Sequence, residues 1–129
     1  MRADLEKRFD VGGLPEAVIR SIIWIRLPLE SVDERGYAML MAVRDMQPVN
    51  RRLTLGELRT VLRDQYLLLR LDEERAVAAI PRLLPDNGQA RQAALDAVRR
   101  VVEAPGALPD QSARRLARIE KLFGMPTDA

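Results

Sequence analysis

Helix-start and helix-stop residues recur at short intervals along the chain, and apolar residues repeat at helical spacing between them. A Ser, Thr or Asp shortly before an apolar run marks a helix start, and a Gly or Pro just past the run marks its end. This punctuation leaves little room for strands. The pattern therefore predicts an all-α chain of six helices joined by short connections.

The start signals place the six helices in order. We predict that the helices begin near Pro15, Ser31, Thr54, Asp72, Gln89 and Pro109. Ser31 with Glu34 and Thr54 with Glu57 have the spacing of a capping box, in which a hydroxyl and a carboxylate each satisfy a free backbone amide. Asp72 is expected to cap the fourth helix in the same way.

The stop signals predict where these helices end. The first helix is predicted to end at about Leu27, and Pro81 is expected to kink the fourth helix or end it early. Residues 47–52 are predicted to form a loop and residues 85–88 a turn. Gly124 stands where the C-terminal cap of the last helix belongs.

The first helix is apolar over most of its circumference between Val18 and Leu27. Its β-branched run alone is compatible with a strand, but Arg20 and Arg26 break a regular alternation. A helix that is apolar nearly all round belongs in the middle of a bundle. Trp24 is therefore expected to be enclosed by the other helices, the alternative being a surface that a partner covers.

The later helices carry one apolar stripe each, as outer members of a bundle do. The predicted inward residues are Tyr37, Leu40, Met41 and Val43 or Met46 on the second helix, Leu58, Val61, Leu62, Tyr66 and Leu69 on the third, Ala94, Val98 and Val101 on the fifth, and Leu116, Ile119, Leu122 and Phe123 on the last.

The 129 residues are enough for one domain with its own core. We predict a flexible N-terminal arm over residues 1–13, because this polar lead ends in two glycines. A single helical domain is predicted over residues 14–124, followed by a C-terminal tail over residues 125–129. Laying residues 32–46 on residues 108–122 matches Leu40 with Leu116, which indicates two pseudo-repeated halves.

The composition restricts the chemistry. Cys and His are both absent, which removes thiol nucleophiles, the commonest general base and the commonest ligands of transition metals. The net charge is only +2 and aromatic residues make up 4%, so the sequence does not favour nucleic-acid binding. The N-terminus lacks an apolar signal segment and no stretch is long enough to span a membrane. We therefore predict a cytoplasmic protein.

Candidate sites were weighed against structural roles. Residues 72–74 and Asp33 with Glu34 could be paired carboxylates, but acidic side chains at helix starts favour capping. The pairs 51–52, 99–100 and 114–115, with Arg118, could bind phosphate, but interspersed acidic residues favour a solvated face. Nothing places Lys7 or Lys121 beside Ser31, Ser112, Thr54 or Thr60, and no glycine-rich phosphate loop occurs. No catalytic, cofactor-binding or metal-binding residue is predicted.

Four segments together resemble a known family. Residues 16–20, 31–37, 71–76 and 115–124 are similar in sequence, order and spacing to the TerB-like helical domain named for tellurite-resistance proteins. The resemblance covers residues 14–124 and is closest to the version at the C-terminus of bacterial poly(3-hydroxyalkanoate) synthase-related proteins. It implies a compact bundle of six or seven helices with pseudo-repeated halves and no established reaction.

The chain departs from this family at the loops that carry its acidic metal-associated positions. An Asp-Gly pair is common in each such loop, whereas Leu29 and Pro105 stand at the Asp positions here. Glu30 is a substitute in one loop only, and a hard cation requires several oxygen ligands. We therefore expect that the family's metal site is lost.

These observations favour a non-enzymatic helical module that acts through protein contacts or self-association. The resemblance implies a link to poly(3-hydroxyalkanoate) synthase-related proteins. The alternative is an ion- or small-ligand-binding stress-response domain, as the tellurite-resistance name suggests. No cofactor is predicted for either role.

Overall fold

The computed structural model describes residues 6–29, 35–47, 49–104 and 106–124, and these ranges form a compact all-α fold. They contain six α-helices and no strand, as predicted. The helices are α1 (Leu14–Arg26), α2 (Arg35–Met46), α3 (Leu55–Leu71), α4 (Glu73–Ala78), α5 (Gly88–Glu103) and α6 (Asp110–Leu122). Three 3-10 turns lie at Leu27–Leu29, Val49–Arg51 and Ile80–Leu83.

Helix α1 is the central element, and it packs against α2, α3, α5 and α6. Its start is fixed by Glu16, whose Oε1 accepts a hydrogen bond from the Gly13 amide at 2.8 Å. Ile22 and Ile25 are fully buried and Trp24 is 6% exposed. The predicted central position of this helix and the enclosure of Trp24 are both confirmed.

Helix α3 begins at the predicted capping box. The Glu57 amide donates to Thr54 Oγ1 at 3.1 Å, and the Thr54 amide donates to Glu57 Oε1 at 2.8 Å. The prediction that Tyr66 faces inward is wrong, because Tyr66 is 40% exposed while its neighbour Gln65 is buried. Adjacent helical positions differ by about 100° around the axis, so burying the Gln65 amide turns Tyr66 outward.

Thr54→Ala is expected to destabilise the protein by about 0.5–2 kcal/mol, because it removes one half of this capping box. Thr60→Ala is the matched control, since Thr60 Oγ1 only donates to the carbonyl of Gly56 within the same helix. Urea unfolding of the two variants measures the difference. Equal midpoints for both variants and the wild type would contradict the cap. The other predicted box, Ser31 with Glu34, lies outside the described residues.

The boundaries around α4 and α5 follow the stop signals. Asp72 Oδ1 accepts from the Arg75 amide at 3.1 Å and caps α4, which ends at Ala78 before the 3-10 turn that contains Pro81. The predicted turn over residues 85–88 leads directly into α5, because the Asn87 side chain caps that helix. The predicted loop over residues 47–52 contains a 3-10 turn instead of being wholly irregular.

The remaining helices bury most of their predicted stripes. Leu116, Ile119 and Phe123 are buried on or next to α6, and Gly124 closes that helix at a φ of +73°, where glycine is favoured. The other buried members of the predicted stripes are Leu40, Val43, Leu58, Leu69, Ala94, Val98 and Val101. Half-buried members are Met41, Met46, Val61, Leu62 and Leu122, and the side chain of Tyr37 lies outside the described part.

The described part of the predicted flexible arm, residues 6–13, packs against the bundle. Phe9 is 1% exposed and belongs to the core, and Arg8 forms an ion pair with Asp64 at 2.7 Å. Gly12 has a φ of +141°, and a Cβ there would lie 2.7 Å from Glu16 Cγ. The glycine therefore permits a tight turn into α1. Residues 1–5 and the predicted tail over residues 125–129 lie outside the described ranges.

Within the described ranges, no helix combines the length and the apolar character that crossing a membrane requires.

Candidate functional site

A buried arginine joins four parts of the fold. Arg20 on α1 is 0% exposed. Its Nε donates to Gln65 Oε1 at 2.8 Å, and its Nη1 donates to the carbonyls of Phe9 at 2.7 Å and Ala76 at 2.9 Å. Its Nη2 makes a longer contact of 3.5 Å with the carbonyl of Arg8. The guanidinium thus holds the segment of residues 6–13, α3 and α4 against α1.

All four acceptors around Arg20 are neutral, and no carboxylate among the described residues pairs with it. Burial lowers the pKa of Arg20 to about 10, although the more distant charges of Glu16 and Asp10 act to raise it. The group is therefore still charged at neutral pH. A buried charge is costly unless its hydrogen bonds are satisfied, so Arg20 requires these acceptors in place.

A small cavity lies beside this junction. It has a volume of about 260 Å³ and is formed where residues 6–13 meet α4 and the following 3-10 turn. Its lining residues are Phe9, Asp10, Arg75, Ala78, Ala79 and Arg82. The Arg75 guanidinium lies 4.3 Å from the centroid of the Phe9 ring, and Arg82 pairs with Asp10 at 3.0 Å. The cavity thus combines an apolar floor with two guanidinium groups.

Two further arginines lie over Trp24. The guanidinium carbons of Arg115 and Arg118 lie 4.9 Å and 5.6 Å from a ring centroid of the indole. Arg115 also donates to the Trp24 carbonyl at 2.6 Å, and Arg118 pairs with Glu74 at 2.7 Å. The hydrogen bond that Arg118 donates to Glu74, together with the positive charge of Arg118, lowers the pKa of Glu74. These arginines therefore fasten α6 to α1 and α4.

The outer face of α3 carries a row of exposed side chains at helical spacing. Arg59, Arg63, Tyr66 and Arg70 follow one another at intervals of four, three and four residues, which places them on one side of the helix. We call these four residues the α3 arginine face. Arg70 Nη1 donates to the Tyr66 hydroxyl at 3.3 Å, and Arg63 makes only a 3.7 Å contact with Asp64. Arg59 pairs with none of the described residues.

Two of the acidic residues predicted as caps, Asp72 and Glu74, have structural partners within the described ranges. Asp72 caps α4 as predicted and Glu74 pairs with Arg118, while Asp33 and Glu34 lie outside the described residues. Glu30, the substitute ligand, also lies outside. In the described ranges, no three acidic side chains come close enough to hold a metal ion.

The arginine pairs weighed as a phosphate surface are dispersed. Arg99 pairs with Glu120, whereas Arg115 and Arg118 lie on Trp24. Arg100 and Arg114 are exposed on α5 and α6. Of the hydroxyl candidates, Ser112 is buried and its Oγ has no partner within the described part of the chain, while Lys7 and Lys121 are exposed.

Sequence reasoning missed the role of Arg20, the α3 arginine face and the cavity. It treated Arg20 only as a break in an alternation, and it placed Tyr66 in the core. The α3 arginine face did have a sequence signal, because three arginines recur at spacings of four and seven residues. The cavity had none, since its lining comes from residues that are far apart in sequence.

The fold and these surfaces define an all-α helical bundle with a buried arginine at its centre. No model of a known protein family matches the chain, and no solved structure matches it. The chain is similar to a protein of Rhizobium meliloti named "Uncharacterized protein in ackA 5'region". The two are 40% identical over all 129 residues of this chain, which spans only 17% of the length of that curated relative.

Proposed function

We propose that the chain is a non-enzymatic helical module that acts through protein contacts, with the α3 arginine face as its docking surface. The observation that carries this proposal is the state of the three guanidinium groups on that face. Among the described residues, Arg59 has no partner, Arg63 has one distant carboxylate, and Arg70 contacts only a tyrosine. Elsewhere Arg8, Arg82 and Arg118 are held in internal ion pairs.

The chemistry of this face indicates an acidic partner. Its residues span twelve positions of a helix, or about 16 Å along the axis. Carboxylates spaced three or four residues apart on a partner helix repeat at the same interval. Tyr and Arg are both enriched at protein interfaces, because each combines apolar contact area with hydrogen bonds. A negatively charged helix lying along α3 would satisfy all three guanidinium groups.

A labelled helical peptide with Glu residues along one face tests this proposal. Replacing Arg59, Arg63 and Arg70 with Gln is expected to weaken its binding about tenfold or more, since each exposed ion pair contributes up to about 1 kcal/mol. The matched control replaces Arg44, Arg100 and Arg114, which are exposed on other helices, and has the same net charge. Fluorescence anisotropy at low and moderate salt measures both.

Two results would contradict this proposal. Equal weakening by both triple variants would mean that only the overall charge matters and that α3 has no special part. Tighter binding of a single-stranded RNA than of the peptide, lost in the α3 variant, would mean that the face contacts nucleic acid.

The family resemblance supports the same class of function. The six helices are compatible with a TerB-like bundle, and Leu40 and Leu116, which the proposed repeat pairs, are both buried. We infer that the domain belongs with the TerB-like modules of poly(3-hydroxyalkanoate) synthase-related proteins. Similarity to one part of a much longer relative agrees with a role inside a larger protein.

The second candidate function is an ion- or small-ligand-binding domain. Binding of a small ligand is favoured by the cavity beside Phe9, which places two arginines next to an apolar floor.

A further inference from the structure

The cavity beside Phe9 owes its shape to small residues. Ala78 ends α4 and Ala79 follows it, so neither side chain fills the space between that helix and residues 6–13. Ala78 is exposed and Ala79 is 9% exposed, and these two residues form the apolar floor. Phe9 is only 1% exposed and lies beneath the Arg75 guanidinium, so it supports the cavity from below. A volume of about 260 Å³ lies just below the usual range of ligand pockets. A small molecule of fewer than about a dozen heavy atoms fits such a space.

Arg75 gives the cavity its chemical character. Its guanidinium is held 4.3 Å from the Phe9 ring centroid, which fixes the group without using its N–H donors. Its one side-chain hydrogen bond, to the carbonyl of Glu6, is 3.5 Å long. No carboxylate pairs with Arg75 within the described ranges. A guanidinium that is held in place and retains free donors is suited to bind an oxyanion through two parallel hydrogen bonds.

Arg82 and Asp10 form the other side of the cavity. They are 3.0 Å apart, and their side chains are 71% and 45% exposed. Asp10 neutralises Arg82 and holds it at the rim, so the two arginines and one carboxylate leave one net positive charge. That charge lies with Arg75, beside the two alanines of the lining.

We propose that this cavity binds a small organic carboxylate, with the acid group on Arg75 and the apolar body against Ala78 and Ala79. The alanine floor favours a carbon-containing acid over inorganic phosphate, which has no apolar group to place there. The proposal is independent of the protein-contact function, because no cavity residue belongs to the α3 arginine face.

Benzoate is the probe, because it joins a carboxylate to a small flat apolar body. In a titration followed by amide chemical shifts of the ¹⁵N-labelled protein, we expect saturable shifts at Arg75, Ala78 and Ala79. Benzamide, its neutral counterpart, and inorganic phosphate should each bind about tenfold more weakly or worse. Equal binding of benzamide would mean that the charge has no role. Equal binding of phosphate would mean that the apolar floor has none. Either result overturns the assignment, as would shifts that never saturate.

Two variants locate the ligand. Arg75→Gln should weaken benzoate binding about tenfold, because it removes the charge-assisted hydrogen bonds. Ala78→Leu should abolish the binding by filling the cavity while leaving every charge in place. Both positions are exposed, so the fold should tolerate them. Arg59→Gln is the control with the same change in charge. Unchanged affinity in either cavity variant, or an equal loss in the control, would overturn the proposal.

Discussion

Phe9→Ala is expected to destabilise the protein by about 3–5 kcal/mol, the usual cost of truncating a buried aromatic residue. Phe9 is 1% exposed, and its ring also carries the stacked Arg75 guanidinium. A loss of this size would show that a segment before the first helix contributes to the stability of the core. Denaturant unfolding followed by circular dichroism measures the change.

Val11→Ala is the control for Phe9→Ala, because Val11 lies in the same segment but is 62% exposed. It should alter the free energy of unfolding by less than about 0.5 kcal/mol. If both variants are as stable as the wild type, residues 6–13 contribute no packing energy, and a flexible arm would be the correct description.

Arg20→Met is expected to cost about 3 kcal/mol. The variant leaves the carbonyls of Phe9 and Ala76 and the Gln65 side chain without their donor, and each buried unsatisfied acceptor costs about 1–3 kcal/mol. Removing the buried charge offsets part of this loss. Thermal and urea unfolding at neutral pH, where the guanidinium is charged, measure the balance.

A second substitution separates the two contributions at Arg20. Adding Gln65→Leu removes one orphaned acceptor, so the double variant should recover about 1 kcal/mol relative to Arg20→Met. Arg100→Met, at an exposed position of α5, is the control for the loss of an arginine. If Arg20→Met is as stable as the wild type, the desolvation of the charge outweighs its hydrogen bonds, and the arginine does not hold the segment.

Helix positions could be predicted from the sequence because their signals are local. The capping residues Thr54 and Asp72 lie within three residues of the amides that they satisfy, and Pro81 acts on its own turn. The central position of α1 was also predictable. Its apolar residues cover most of the circumference, and only a surrounded helix can bury them.

The partners of buried polar groups could not be predicted, because they come from distant parts of the chain. Arg20 is 45 residues from Gln65 and 56 from Ala76, and helical spacing alone favours Tyr66 over Gln65 as a core residue. The packing of residues 6–13 was missed for a different reason. Two glycines indicated flexibility and outweighed Phe9, although an aromatic residue in a polar lead is itself a signal of packing.

The order in which the helices are made has a consequence for folding in the cell. The central helix α1 comes before α2–α6 in the sequence, yet two of the helices that cover it, α5 and α6, come last. At ordinary rates of translation, roughly 4–15 s pass between the synthesis of Ile22 and Ile25 and the completion of α5. During that time the part of this segment that α5 and α6 cover in the folded protein lacks those partners.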